Sequence, residues 1–257
     1  MSSNNEDRVF NYKKPSKQLD DFIHIYWEHK NLTDKVQNLT IFPDSFFKLI
    51  LLYKKEKLIA FFMTGLWTNE FEFFHPPDSI VYGIKFKILS PEFILQDEIA
   101  SIFSSHKDLS PDFLNIDKLK FQGLDSFGEQ MDQLFKEKLE HTTKKIKSNK
   151  LQLSQLLYSV GGNIIVEEVS NQINWSTRQI NRYLNKYLGV SLKTYLNIQK
   201  CYSSYFHIRD GKLYPENEYF DQSHFIREIK KYTGKTPSEL HKNKNDRFIQ
   251  LKNIQRK

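Results

Sequence analysis

The sequence predicts an α+β chain in two parts, a β-rich N-terminal half followed by an all-helical C-terminal half. Three observations carry this expectation. Up to about Leu89 the aromatic and β-branched residues fall in short runs broken by turn-formers. Beyond Pro91 the apolar spacing changes to three and four. Charge also divides unevenly: residues 1 to 141 hold 17 Lys/Arg against 22 Asp/Glu, and residues 142 to 257 hold 21 against 9, so the halves carry −5 and +12. A chain of 257 residues can bury a sizeable core, and two ordinary domains fit this length better than one.

The elements follow in order. In Leu19, Phe22, Ile23, Tyr26 and Trp27 the apolar spacing is helical, which predicts an early helix packed on a β-structure. Strands are expected at Leu39 to Phe42, Phe46 to Tyr53, Leu58 to Thr64, Glu70 to Phe74 and Ile80 to Ile88. Breaks at Pro43-Asp44-Ser45, Lys54 to Lys57, Gly65 and Pro76-Pro77-Asp78 separate them. Short strands at this spacing suggest a compact antiparallel barrel or sandwich. Helices are expected at Phe93 to Phe103 and Phe113 to Leu139, the latter striped by Leu124, Phe127, Met131, Leu134, Phe135 and Leu139. The lysine-rich, apolar-poor stretch HTTKKIKSNK, residues 141 to 150, reads as a linker between domains at 1 to 140 and 151 to 257.

Composition excludes several classes. The single cysteine, Cys201, permits neither an internal disulfide nor a multi-cysteine metal site, and fits a reducing cytoplasm. The start, MSSNNEDRVF, lacks the pattern of a signal peptide, and the apolar runs near Leu49 to Tyr53 and Leu58 to Met63 are far shorter than a bilayer requires. No membrane association is expected. Histidines His24, His29, His75, His106 and His141 do not make the His-x-His spacing of a barrel metal centre, and neither a phosphate-binding glycine loop nor a Gly-x-Ser-x-Gly elbow occurs. The acid pairs Asp20-Asp21 and Glu167-Glu168 fit helix starts. The expectation is therefore no metal, no cofactor and no catalytic residue. Trp27, Trp67 and the phenylalanines could line a ligand pocket, but core packing is the default for aromatics at such spacing, and residues for a ligand are left unassigned.

The basic half points to a polyanion partner. Within it, Ile165, Val169 and Ile173 mark the apolar face of one helix, Asn174-Trp175 a turn, and Ser176 the cap of a second helix. Ile180, Tyr183, Leu184 and Tyr187 form the buried face of that helix, and Gly189 ends it. This is a helix-turn-helix, and burial of its ridge leaves Ser176, Thr177, Arg178, Asn181, Arg182 and Lys186 outward. Arginine reads guanine in the major groove, and Asn or Thr contacts bases or phosphates. A second unit, Tyr219 to Pro237, repeats the pattern: Phe225, Ile229 and Tyr232 face inward, Asp221 or Gln222 opens the helix and Gly234 closes it. Gln222, Ser223, His224, Arg227, Lys230 and Lys231 are then outward. Tyr195 to Ile208 reads as one long helix between the units.

From about Val160 to Leu240 the chain resembles the AraC-type DNA-binding domain. The resemblance rests on Phe220-Asp-Gln-Ser-His-Phe225 followed by Arg227, Lys230, Lys231, Gly234, Thr236 and Pro237. Upstream, Pro15, Leu19, Phe22, Tyr26-Trp27, Phe42-Pro43-Asp44, Lys48-Leu49-Ile50, Gly65 and Tyr82 to Phe86 are similar to a small cupin-like domain found joined to such modules. Two departures stand out: Lys212 to Tyr219, with Pro215 inside, is about one helical turn short of the family's helix, and Leu192 replaces a commoner proline. The resemblance implies a sequence-specific DNA-binding transcription regulator, not an enzyme, whose two recognition helices enter successive major-groove turns roughly 34 Å apart. Arg182 and Arg227 are the leading candidates for base contacts, and Lys242 and Lys244 for phosphates. The expected partners are double-stranded DNA and, for the N-terminal half, a small-molecule effector, a second copy of the chain, or both. The alternative is a small-molecule-binding or catalytic barrel whose basic tail holds nucleic acid without regard to sequence.

Overall fold

A computed structural model describes residues 8–214 and 219–242; Pro215 and Lys244, singled out above, lie outside them. The N-terminal half is built of strands β1 (Arg8–Lys13), β2 (Ile23–Asn31), β3 (Gln37–Ile41), β4 (Phe47–Lys54), β5 (Lys57–Thr64), β6 (Phe71–His75), β7 (Ser79–Phe86) and β8 (His106–Asp108). Six of them form one antiparallel sheet in the order β1-β2-β7-β4-β5-β8, and β3 pairs with β6 in a second sheet. The fold class read from the sequence is the one observed, an antiparallel β-structure followed by a helical region.

Period-2 alternation gives the large sheet two different faces. Phe47, Leu49, Leu51, Phe61, Met63, Tyr82, Ile84 and Phe86 point into the main core. There they meet helix α1 (Leu124–Glu140), with Tyr82 and Phe127 rings 4.9 Å apart and Phe86 and Phe135 rings 5.6 Å apart. Asp132 of α1 accepts a 2.7 Å hydrogen bond from the Tyr26 hydroxyl. On the other face the strand register lines up two rows: Ile25, Lys85, Lys48 and Thr64, then Trp27, Gly83, Ile50 and Phe62. Trp27 lies on Gly83, where a Cβ would stand 2.2 Å from its indole. Glycine at this position is therefore what lets the ring lie flat on the sheet.

Three expectations are corrected. The helix expected over Leu19 to Trp27 is a short 3-10 turn, Lys17–Leu19, followed by strand β2. Because β2 is a paired inner strand covered on both faces, Ile23, Ile25, Tyr26, Glu28, His29 and Asn31 are all buried, and the alternation that marks a half-exposed strand is lost. The helix expected over Phe93 to Phe103 is a π-turn, Pro91–Leu95, and a 3-10 turn, Ala100–Ile102, with Gln96 between them at φ 54°. The helix expected from Phe113 starts only at Leu124: Leu114 (φ 60°) and Asn115 (φ 53°) break an initial 3-10 turn, Phe113–Lys118.

The C-terminal half comprises α2 (Ser148–Val160), α3 (Val166–Ile173), α4 (Thr177–Leu188), α5 (Leu192–Arg209), α6 (Gln222–Thr233) and α7 (Pro237–Lys242). Between α1 and α2 the chain is irregular as far as Lys147, inside the stretch read as a linker. The main core nevertheless runs from the sheet through Phe93, Ile94, Leu153, Leu157, Ile180, Leu184 and Leu192. A second core joins Ile198, Cys201, Tyr205 and Ile208 of α5 to Phe225 and Ile229 of α6, and Phe42 of the β half lies within it. No helix among the described residues is long and apolar enough to cross a membrane.

Candidate nucleic-acid interface

Local chemistry sets the helix-turn-helix of α3 and α4 and also the helix α6, although the described residues between α5 and α6 form no helix. Asn174 ends α3 in the left-handed region (φ 51°), a conformation that asparagine tolerates, and so turns the chain toward α4. Ser176 and Gln179 then cap α4 reciprocally: Ser176 Oγ accepts from the Gln179 amide at 3.3 Å, and Gln179 Oε1 accepts from the Ser176 amide at 3.0 Å. Gly189 closes α4 at φ +74°. In the second unit Asp221 caps α6 by accepting from the His224 amide at 2.7 Å, and Gly234 closes it at φ +67°. Thr236 and Glu239 form another reciprocal cap, with Pro237 as the first residue of α7. The Gly-Lys-Thr-Pro run is thus a helix stop followed at once by a helix start.

With Ile180, Tyr183, Leu184 and Tyr187 buried, Arg178, Arg182 and Lys186 are exposed on α4. With Phe225, Ile229 and Tyr232 buried, Gln222, Ser223, Arg227, Lys230 and Lys231 are exposed on α6. Of the remaining predicted site residues, Thr177, Asn181 and His224 are turned partly inward, and Ser176 is exposed. Asn181 was expected to face outward, but it is half-buried and its Oδ1 accepts from the Leu192 amide at 2.8 Å, so it caps α5 across the interhelical turn. Ser176 is engaged in its cap, Thr177 is half-buried, and His224 packs edge-on against Tyr219 at 5.7 Å. Lys186 lies over the Tyr187 ring and 3.4 Å from Glu98 of the β half. Lys231 stands 3.9 Å from Glu228. Gln179 and Glu239 were absent from the sequence reading, although Ser-x-x-Gln and Thr-x-x-Glu signal reciprocal caps.

The β half holds these helices closely. The Ile99 amide donates to the carbonyl of Tyr187 at the end of α4, at 3.0 Å. Glu92 receives Lys150 at 2.6 Å, and that ammonium lies 4.9 Å from the centre of the Tyr183 ring on α4. The hydroxyls of Tyr195 and Tyr205 on α5 donate to the carbonyls of Ser45 and Pro43, at 3.1 and 3.3 Å.

Between the second face of the large sheet, the β3–β6 sheet and helices α2 and α5 lies a cavity of about 920 Å³. Ile50, Phe62, Val81, Leu39 and Phe73 give it apolar walls, and Lys14, Lys48, Lys85 and Lys87 reach it. Asp44 is fully buried beside it and pairs with Lys48 at 2.6 Å and Lys85 at 2.8 Å. Burial alone would raise the Asp44 carboxyl, but the two ammonium groups outweigh it and hold the group below its ordinary range. His24, stacked on Phe46 at 4.3 Å, is pushed well below the ordinary histidine value by burial and by Lys85, Lys14 and Lys87. Trp27, Thr64 and Gln199 line the same space, and their Nε1, Oγ1 and Oε1 atoms are buried without a hydrogen-bond partner in the protein. Of these residues, the sequence offers a pocket role only for Trp27 and the phenylalanines, beside their default reading as core. The lysines carry a signal of their own, since Lys48 of β4 and Lys85 of β7 each interrupt an otherwise apolar run. No group of three or more potential metal ligands occurs among the described residues.

Residues 12–106 match the family model described as Domain of unknown function (DUF6597), which spans less than half of the chain. The chain matches no curated protein in sequence. Among solved structures it is similar to ToxT from Vibrio cholerae in a P21 crystal form, at 12% identity and a TM-score of 0.42, with 91% of this chain and 98% of that one covered. It is similar to ToxT from Vibrio cholerae O395 at 12% identity and a TM-score of 0.44, covering 97% and 100%. Wild-type ToxT from strain SCE256, bound to an unsaturated fatty acid, is 13% identical with a TM-score of 0.41, covering 94% and 97%.

Proposed function

We propose that this chain is a sequence-specific DNA-binding transcription regulator of the AraC type, and that its N-terminal half binds a small effector. The observation that carries the reading is the exposed edge of α4: the buried Ile180, Tyr183 and Leu184 ridge leaves Arg178 and Arg182 projecting from a capped helix into solvent. Helix α6 offers a second such edge with Arg227, Lys230 and Lys231. A lone helix of this kind suits a major groove, and two on one chain suit adjacent turns of one duplex. The +12 charge of residues 142 to 257 supplies phosphate attraction that carries no sequence information. The effector would occupy the 920 Å³ cavity. Its apolar walls and lysine-bearing end favour a largely apolar molecule with a negative charge. The reading assigns no catalytic step to the chain.

The test is selection of bound sites from random duplexes by the full chain, followed by affinity measurements on the selected site. Arg182→Ala is expected to lose about ten-fold or more in discrimination at one base pair. Lys242→Ala is expected to weaken all duplexes about equally and to reduce the salt slope by about one. A full chain that binds every duplex alike would refute the reading.

A further inference from the structure

Phe220 is 94% exposed, the highest value for any large apolar side chain among the described residues. It is the residue before Asp221, the cap of α6. Its counterpart in the first unit is Trp175, the residue before the cap Ser176, and that ring turns inward to lie 5.7 Å from Tyr183. The two units differ at the seat. Seven positions beyond the cap the first unit has Tyr183, whereas the second has Glu228. In the second unit Tyr219 takes over the inward contact, its ring 4.9 Å from Phe225, the fourth residue of α6. An apolar residue beside a helix cap usually packs on the fourth helical residue. Tyr219 already fills that place, so Phe220 is left in solvent.

Around Phe220 the surface belongs to the start of α6, where Gln222 and Ser223 are exposed, with Arg227 one turn further on. The first turn of a recognition helix is the part that comes closest to base edges. A phenyl ring gains nothing from a phosphate, whereas the major groove offers one apolar partner, the C5-methyl group of thymine. Arg227, one turn beyond Ser223, and the lysines Lys230 and Lys231 of the last turn of α6 give this helix a positive face that complements a duplex.

We infer that Phe220 reads sequence, by contact with a thymine methyl group in the half-site covered by α6. The inference rests on the proposed DNA-binding function and deepens it. Burying one methyl group is worth about four-fold in affinity.

The experiment uses the full chain and its selected duplex, with each thymine replaced in turn by uracil, which removes the C5-methyl group alone. One such replacement in the α6 half-site is expected to weaken the wild-type chain about four-fold and to leave Phe220→Ala unaffected. The variant is itself expected to bind the thymine duplex correspondingly less well. Because the ring is exposed, the variant's melting curve is expected to match the wild type, which separates a contact from a folding defect. Two outcomes overturn the assignment alone: a sequence-selective chain indifferent to every uracil, or a Phe220→Ala variant with the wild-type uracil profile, including one whose sole change is loss of self-association. A wild-type chain with no preferred sequence would instead overturn the DNA-binding reading on which the assignment stands.

Discussion

Replacing Asp44 by asparagine should destabilise the chain in a way that identifies the buried charges as the cause. Asp44 has no exposed side-chain surface and holds Lys48 at 2.6 Å and Lys85 at 2.8 Å, whose side chains are 8% and 13% exposed. Lys48 and Lys85 sit directly opposite one another on β4 and β7, so without the carboxylate two ammonium ions face each other across one sheet position. Breaking a buried pair by removing one partner costs about 3–5 kcal/mol. Some compensation remains: Lys48 also donates to the Phe46 carbonyl at 3.1 Å, and Lys85 lies 5.5 and 5.7 Å from the ring centres of Phe46 and Tyr202. The expected loss is therefore near the lower end, about 3 kcal/mol, or roughly 6–12 °C in Tm for a chain of this size. Thermal and guanidinium unfolding of the full chain measures it. The double variant Asp44→Asn with Lys85→Met should recover much of the loss, since it removes one orphaned charge and leaves an apolar stem in place. A loss under about 1 kcal/mol, or a double variant no better than the single one, would refute the reasoning. The same substitution frees positive charge at the cavity, so an anionic apolar probe such as a fluorescent fatty acid should bind Asp44→Asn more tightly than the wild type.

Two further outcomes follow from burial. His75 is fully buried and desolvation lowers its pKa to about 4, so it stays neutral in the folded chain. The unfolded chain takes up that proton first, so stability is expected to fall as pH drops from about 6.5 toward 4, by up to about 3 kcal/mol. Melting curves at pH 7 and pH 4.5 should show this fall, and it should shrink in His75→Asn; an unchanged fall would assign the effect to other groups such as His24. Phe42, 1% exposed with its ring 5.7 Å from Tyr205, should cost about 3–5 kcal/mol when truncated to alanine. It should also weaken DNA binding, because it belongs to the core that carries α6. Destabilisation with unchanged affinity at a temperature where the variant is folded would refute that second part.

What was legible in the sequence was local. The apolar register of α3, α4 and α6, the caps Ser176 and Asp221 and the stops Gly189 and Gly234 all lie within a few residues of what they organise. Strands β3 to β7 were readable because turn-formers separate them. β2 was misread because both its faces are covered, which erases the period that distinguishes strand from helix. β8 is short, polar and exposed, with no apolar pattern to detect. Asn181 looked like a groove-facing residue because its partner, the Leu192 amide, lies beyond the helix end. The cavity was unreadable for the same reason on a larger scale, since Lys48 and Tyr202 line one space from opposite halves of the chain.

That same long-range construction decides how an effector and DNA would communicate. The cavity is lined both by Lys48 and Lys85 of the sheet and by Tyr202 and Phe206 of α5, with Lys85 5.7 Å from the Tyr202 ring centre. α5 is also the helix that carries Ile198, Tyr205 and Ile208 into the core of the second unit, while Leu192 and Tyr195 near its start belong to the core shared with the first. A molecule bound there would press on α5, which carries residues of both cores. The β half resists through fixed contacts, the Tyr195 and Tyr205 hydrogen bonds to the 43–45 turn and the Ile99 bond to the end of α4. A packed core responds to such a push by shifting between discrete arrangements, not by bending smoothly. The quantity an effector would change is then the relative placement of α4 and α6, which sets the half-site spacing that a duplex must offer.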